Sequence, residues 1–337
     1  MNDNSTNVSA MEKVNSSEVY VYGRYLLYFS EGIVIVIANI LTLIVVLRTK
    51  KLRDVPANTF IMSLACADGM IGVLLPAILF KFSTYDQNMW VSAACLFRGP
   101  YYAMFSISLS TLLGIAIDRY VAAVHPLIYR MRMTVTIARF TCICIWLLQL
   151  ALWEALTCYY GSQIYVRNDP PGTVHNIFPG MSFLFLTQVE ILLPILGNLI
   201  LYSAIYIKLR KRTVVSGSTT NNLNSSCATQ PSAKTKAFTK MMVLVLGYLI
   251  IAWLPYYIIV PLHKVNDPTT PTWYVYTYDF VTILLYSNSF VNPVIYSWQN
   301  RDFRDAYAKI LKRKTRVGST ADRTTRNRTR FVTSSNL

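Results

Sequence analysis

Charge is scarce in this chain: 14% of its 337 residues are charged, where soluble domains carry about 25%. An ordinary soluble domain is excluded on that ground. Histidine is rarer still. His125, His175 and His263 are scattered, which offers no metal cluster, and neither H-E-x-x-H nor G-x-S-x-G occurs. With those motifs missing, the chain reads as a non-enzyme. An internal repeat of roughly 20–50 residues is also missing, as is a matching pair of half-chains, which weighs against a transporter or channel. The first 20 residues are polar, so no cleavable signal peptide is expected and the first apolar stretch would serve as the insertion signal.

Apolar residues, in contrast, make up 53% of the chain, and they are gathered into blocks. Crossing a bilayer takes about 20 residues per helix. Seven blocks qualify, near 25–48, 57–80, 96–124, 138–158, 181–208, 236–262 and 273–298. The seventh is interrupted by Asp279, Asn288, Ser289 and Asn292, and a span that polar should face other helices rather than lipid. The expected fold is an all-α membrane protein, a seven-transmembrane helix bundle over residues 25–298. Cys66, Cys142 and Cys144 fall within spans and Cys227 on the inner side, whereas Cys95 and Cys158 lie near the outer face, where oxidation is permitted.

The net charge of +16 is a matter of topology. With the N-terminus outside, inner segments hold 26 of the 32 lysines and arginines, as the positive-inside rule requires. That placement favours anionic lipid head groups over nucleic acid. Sequons at Asn4, Asn7 and Asn15 make residues 1–24 a glycosylated extracellular arm. After the last span, Phe303, Tyr307, Ile310 and Leu311 recur at helical spacing among basic residues, predicting an amphipathic membrane-surface helix over 299–314. Residues 315–337 form a basic, Ser/Thr-rich tail expected to be disordered, with Ser335-Asn336-Leu337 as a candidate PDZ ligand. The inner loop near 211–234 is similarly polar and expected to be flexible.

Two polar clusters stand where lipid makes charge costly. Asp118-Arg119-Tyr120 closes the third span and Asn292-Pro293-Val294-Ile295-Tyr296 the seventh; an ionisable residue at mid-bilayer costs roughly 2.5–3.5 kcal/mol on insertion scales. Further markers fall one or two to a span: Asn39, then Leu64-Ala65-Cys66-Ala67-Asp68, Trp146, Pro194 with Tyr202, and Trp253-Leu254-Pro255. In this order the set resembles the rhodopsin-like G protein-coupled receptors from about Tyr25 to Leu311.

The resemblance implies a receptor at the plasma membrane that passes binding of a small extracellular ligand to a heterotrimeric G protein. Arrestin and a receptor kinase would engage the tail. Asp118, Arg119, Tyr120, Tyr202, Trp253, Pro255, Asn292, Pro293 and Tyr296 would form the activation switch. Asp68, Ser108, Asn288 and Asn292 would hold an allosteric sodium ion, their oxygens suiting a hard cation; the bland alternative is a polar network around a protonated Asp68. No other cofactor is implied. The ligand cavity would be lined by Tyr101, Tyr102, Phe105, Glu190, Trp253, Tyr256, Tyr257, Asp279, Thr282 and Tyr286. Aromatic rings with acids suit an organic cation, a neutral small molecule, lipid or short peptide being the alternative; the same rings also pack the core.

Departures from the family pattern matter as much. Tyr101 occupies the position where aminergic receptors place an aspartate, so Glu190 either supplies the displaced counter-charge or is neutral and hydrogen-bonded. Tyr286 stands at the position of the opsin Schiff-base lysine, which excludes a retinal site. Arg119 follows Cys95 by one residue fewer than is usual, and the outer loop 159–178 holds no cysteine, so the expected bridge from Cys95 to Cys158 is either shifted from the family's position or absent. Ala252, Leu249 and Thr235 replace a cysteine, an aromatic switch residue and an acid, which implies a loosely held inactive state with some basal signalling.

Overall fold

Lipid offers no partner for backbone N–H and C=O groups, so a chain of this composition must satisfy them within helices. A computed structural model of the protein describes residues 3–79, 87–167, 181–218, 233–262 and 271–310, with backbone only at several helix ends, 3–19 and 87–98 among them. The long helices are α1 (Asp3–Arg48), α3 (Pro56–Leu79), α4 (Gln87–Val124), α6 (Val135–Arg167), α7 (Met181–Ser218), α8 (Ala233–Ile259) and α9 (Thr272–Gln299). Short helices α2 (Lys50–Arg53) and α5 (Pro126–Arg132) occupy the connections at one end of the bundle. A last helix, α10, runs over residues 301–310.

Five of the seven long helices contain a stretch long and apolar enough to cross a membrane: Tyr22–Arg48, Pro56–Pro76, Gly99–Val124, Val135–Tyr159 and Val189–Lys208. In α8 the apolar stretch is the shorter Val243–Ile259. The remaining long helix, α9, is the polar one, and it buries Asp279, Thr282, Ser287, Asn288, Ser289 and Asn292 among its neighbours. It is held in the bundle by packing and polar contacts rather than by hydropathy. Helix α4 is the axis, packing against α3, α6, α7 and α8.

Side-chain hydrogen bonds lock the helices to one another. Asn39 Nδ2 donates to the carbonyls of Ile35 (2.9 Å) and Ser289 (3.0 Å), joining α1 to α9. Trp146 Nε1 donates to Ser63 Oγ at 2.9 Å, joining α6 to α3. Prolines lie inside five helices, at Pro76, Pro100, Pro194, Pro255 and Pro293, each removing a backbone bond and favouring a bend. After Pro255 the helix tightens into a 3-10 turn at Val260–Leu262.

Two boundaries differ from the expected ones. Helix α1 begins at Asp3, within the segment read as an arm, and α7 continues to Ser218, so part of the expected inner loop is helical. Helix α10 is anchored more firmly than a purely surface-lying helix: Phe303, Ala306 and Tyr307 are buried, Tyr307 pairs its hydroxyl with Thr42 Oγ1 at 2.7 Å, and Lys51 Nζ meets Asp302 at 2.6 Å. Residues 311–337, and with them Leu311, the tail and its terminal motif, lie outside the described residues.

Candidate functional site

Two aromatic residues from different helices stand where a counter-ion was missed. Tyr101 of α4 and Tyr286 of α9 join their hydroxyls in a short hydrogen bond. Around them the rings interlock edge to face. Phe105 meets Tyr101 at 5.2 Å and Trp253 at 5.7 Å, Tyr102 stacks on Trp153 at 5.2 Å, and Trp253 stacks on Tyr257 at 6.0 Å. Tyr256 bridges Tyr257 and Tyr278, each at 6.4 Å. The expected lining residues from α4, α8 and α9 therefore form one continuous aromatic cluster.

Glu190 approaches this cluster from α7. Ser106, Trp153 and Gln149 are the polar groups nearest its carboxyl, and Tyr257 lies within its electrostatic reach. Its Oε1 atom is buried without a hydrogen-bond partner, as are the Tyr257 hydroxyl and Trp253 Nε1. Such atoms have given up water without replacement, which costs about 1–3 kcal/mol each. Together they can accept a polar group brought by a ligand.

Two expected lining residues are turned to other work. Asp279 accepts hydrogen bonds from the hydroxyls of Tyr20 and Tyr28 and pairs with Arg24 at 3.7 Å, all three from α1. Burial and the neighbouring Asp279 push the Tyr20 hydroxyl pKa upward, so it stays a donor. Thr282 donates to its own helix at Tyr278 O, 2.6 Å away. Asp279 and Thr282 thus fix the outer part of α9, and of the expected lining the aromatic rings and Glu190 remain.

Inward of the ring cluster, Asp68 of α3 is fully buried. Ser108 Oγ donates to Oδ1 at 3.0 Å and Asn292 Nδ2 to Oδ2 at 2.9 Å, with Ser289 also in hydrogen-bonding range. Asn288 Oδ1 is buried without a partner beside them. An orphaned amide oxygen, a hydroxyl and one carboxylate fit a monovalent hard cation. No group of three or more acids, histidines or cysteines that would suit a transition metal occurs among the described residues. Leu249 replaces an aromatic switch residue, and with Leu112, Asn198, Tyr202, Val245 and Leu246 it surrounds a cavity of about 10 Å³, close to the smallest that holds one water.

At the inner end, Arg119 donates from Nε to Asp118 Oδ2 at 2.8 Å and again from Nη2. Nη2 also donates to the Tyr129 hydroxyl at 2.9 Å, and the guanidinium lies 5.7 Å from the centre of that ring. Burial pushes the Tyr129 pKa up to about 12, so its hydroxyl stays neutral. Tyr120 is half-buried, whereas Tyr202 is buried within electrostatic reach of Arg119 and of Tyr296. The Tyr296 hydroxyl is buried without a partner. Asn292 and Pro293 on α9, and Trp253 and Pro255 on α8, stand between this inner cluster and the outer rings.

Cys158 is a free thiol, exposed on α6 and donating to Glu154 Oε1 at 3.7 Å one turn back along its own helix. The helix runs on to Arg167 and fixes Cys158 on that face. The side chains of Cys95, Thr235, Asn4, Asn7 and Asn15 lie outside the described side chains. Sequence reading missed Tyr28, Tyr129, Trp153 and Glu31; only Glu31, an acid within an apolar span, carried a signal that could have found it.

The model of the 7 transmembrane receptor (rhodopsin family) matches residues 38–296. Trace amine-associated receptor 8c of Rattus norvegicus is 30% identical, with 90% of this chain and 92% of the relative aligned. Trace amine-associated receptor 8 of Homo sapiens is 28% identical over 86% of each chain. Trace amine-associated receptor 7d of Mus musculus is 27% identical over 86% of this chain and 83% of its own.

Proposed function

The chain belongs to the rhodopsin family of seven-transmembrane receptors, and on that premise we propose that it lies in the plasma membrane, N-terminus outside, and converts binding of a small organic amine into nucleotide exchange on a heterotrimeric G protein. The observation that carries the choice of ligand is Glu190, whose Oε1 is buried and unpartnered beside the equally unpartnered Tyr257 hydroxyl. A buried carboxyl flanked by aromatic faces offers an ammonium both a charge-assisted hydrogen bond and cation–π contacts. The relatives' names, which include an amine, support the same class.

In this reading Glu190 replaces the counter-ion that Tyr101 cannot provide. A ligand held between Glu190, Tyr257 and Phe105 presses on Trp253, directly above the Pro255 bend. Rotation of α8 there relays to the inner end, where Arg119 leaves Asp118 and Tyr129 and opens the surface that docks the G protein. The ligand shifts the population by binding the open form better than the closed one. Sodium at Asp68, Ser108, Asn288 and Asn292 would favour the closed form. Arrestin, a receptor kinase and a PDZ domain would engage the tail, and anionic lipid heads the basic inner face.

G-protein activation in cells expressing the wild type and Glu190→Gln, across amines, nucleosides, lipids and short peptides, tests this. An amine response lost in Glu190→Gln at equal surface expression is the expected result. A response to a neutral or peptide ligand, unchanged by the substitution, would discard the amine reading. That second reading has one observation in its favour: the Tyr101–Tyr286 hydroxyl pair offers a neutral ligand a polar contact without charge.

A further inference from the structure

Helix α1 carries an acid that nothing above employs. Glu31 is 9% exposed, and both its carboxylate oxygens are buried without a hydrogen-bond partner. It lies inside the bundle, one turn inward of Tyr28 and one turn outward of Ile35, on the face that α1 turns toward α3 and α9. Tyr28 meets the ring of Tyr286 at 6.0 Å, and Ile35 touches Gly72 of α3. Glu31 itself is within electrostatic reach of Tyr286. That tyrosine holds the hydroxyl of Tyr101 and packs against Phe105 at 6.0 Å. Glu31 is thus the end of a chain of rings that leads back, through Phe105 and Trp253, to Tyr257 and Glu190.

The charge balance of this chain of rings is one-sided. Asp279 has its cation in Arg24 and two tyrosine donors besides. Glu31 has neither, and both its oxygens lack a partner; Glu190 has polar groups near its carboxyl, but its Oε1 is buried without one. Ionised or neutral, a carboxyl buried without a partner has lost water for nothing in return. A cation at Glu190 alone would leave Glu31 in that condition.

We propose that Glu31 is a second cation subsite of the ligand cavity, and that the receptor takes an elongated dication, with one ammonium at Glu190 and the other at Glu31 and the connecting chain lying along Phe105, Tyr101 and Tyr286. The proposal rests on the amine reading above. It adds length and a second charge as the properties selected.

The test compares straight-chain diamines with monoamines of equal chain length, using G-protein activation in cells expressing the full chain at matched surface levels. The wild type should prefer a diamine of one optimal length over its monoamine by about tenfold or more, the gain of one charge-assisted contact. In Glu31→Gln that ratio should fall to near one, and in Glu190→Gln potency should fall for both series. Glu31→Asp, which keeps the charge and retracts it by one methylene, should restore the ratio and move the optimum to a longer diamine. A diamine preference untouched by Glu31→Gln overturns the proposal, as does a wild type that responds to monoamines without preferring any diamine. Failure of every amine in the wild type sinks the amine reading itself, and this one with it. Loss of surface expression in Glu31→Gln, together with no change of optimum in Glu31→Asp, would make Glu31 a packing residue and also overturn it.

Discussion

The Tyr129 hydroxyl lies 2.9 Å from Arg119 Nη2 and 3.4 Å from Asp118 Oδ2, so a residue of the short helix α5 completes the ion pair at the inner end of α4. Family members often restrain this arginine with an acid from the sixth span; here the position is Thr235. In this chain the arginine's further contact comes from the connection after the third span.

Tyr129→Phe keeps the ring and removes the hydroxyl. A hydrogen bond to a charged group contributes about 1.5–3 kcal/mol, part of which is replaced by water at this half-open site. The expected outcome is a rise of about two- to tenfold in ligand-free nucleotide exchange at matched expression. Arg119→Ala should abolish coupling while leaving the protein at the surface. Basal exchange equal to wild type in Tyr129→Phe would show that α5 does not restrain the arginine.

Asp279 gathers Tyr20, Arg24 and Tyr28 from α1, and its role should be visible as stability. Removing one partner leaves a largely buried charge short of a donor. Arg24→Ala, Tyr28→Phe and Asp279→Asn should each lower the melting temperature of the purified receptor, by roughly 1–3 kcal/mol of stability. In a double-mutant cycle Arg24→Ala and Asp279→Ala should be less than additive. Additive losses would mean that the 3.7 Å pair contributes nothing.

The bundle was legible because its helices are long, apolar and separated by basic segments, and because polar residues in such helices are rare enough to stand out. The structure gathers the aromatic residues into one cluster, sets Ser108 and Asn292 on Asp68 and pairs Asp118 with Arg119. What stayed hidden was partner choice. Nothing in a linear pattern says that Asp279 turns to α1 rather than to the cavity, since Tyr20, Arg24 and Tyr28 are more than 250 residues away in the chain. Tyr129 is an unremarkable residue in a connection until α5 folds it under Arg119. Pairing across distant helices is a property of packing, not of periodicity.

Sodium should act through Asp68 alone. If the ion occupies the pocket formed with Ser108, Asn288 and Asn292, sodium chloride should raise the melting temperature of the ligand-free receptor relative to choline chloride at equal ionic strength. The gain is about 1.4 kcal/mol at an ion concentration ten times Kd. Asp68→Asn should abolish the difference between the two salts. A sodium-specific shift that survives in Asp68→Asn would place the ion elsewhere; equal melting in both salts for the wild type would leave Asp68 as the centre of a hydrogen-bonded network only.

Helices α1 and α3 approach through two glycines, and that contact admits no side chain. A Cβ placed on Gly72 would lie 2.8 Å from Gly32 O and 2.9 Å from Ile35 Cγ2; one on Gly32 would lie 2.8 Å from Gly72 O. Both obstacles include backbone, which cannot step aside, so the helices must separate. Close approach of backbones at small residues is the usual source of helix association in lipid, and overpacking of this kind costs about 1–3 kcal/mol. Gly32→Ala and Gly72→Ala should therefore each lower the melting temperature and surface yield. Gly247→Ala supplies the control, because a Cβ there meets nothing within 4 Å and alanine is the better helix former by about 1 kcal/mol; it should be neutral or mildly stabilising. If all three variants melt together, backbone approach between α1 and α3 is not what holds this side of the bundle.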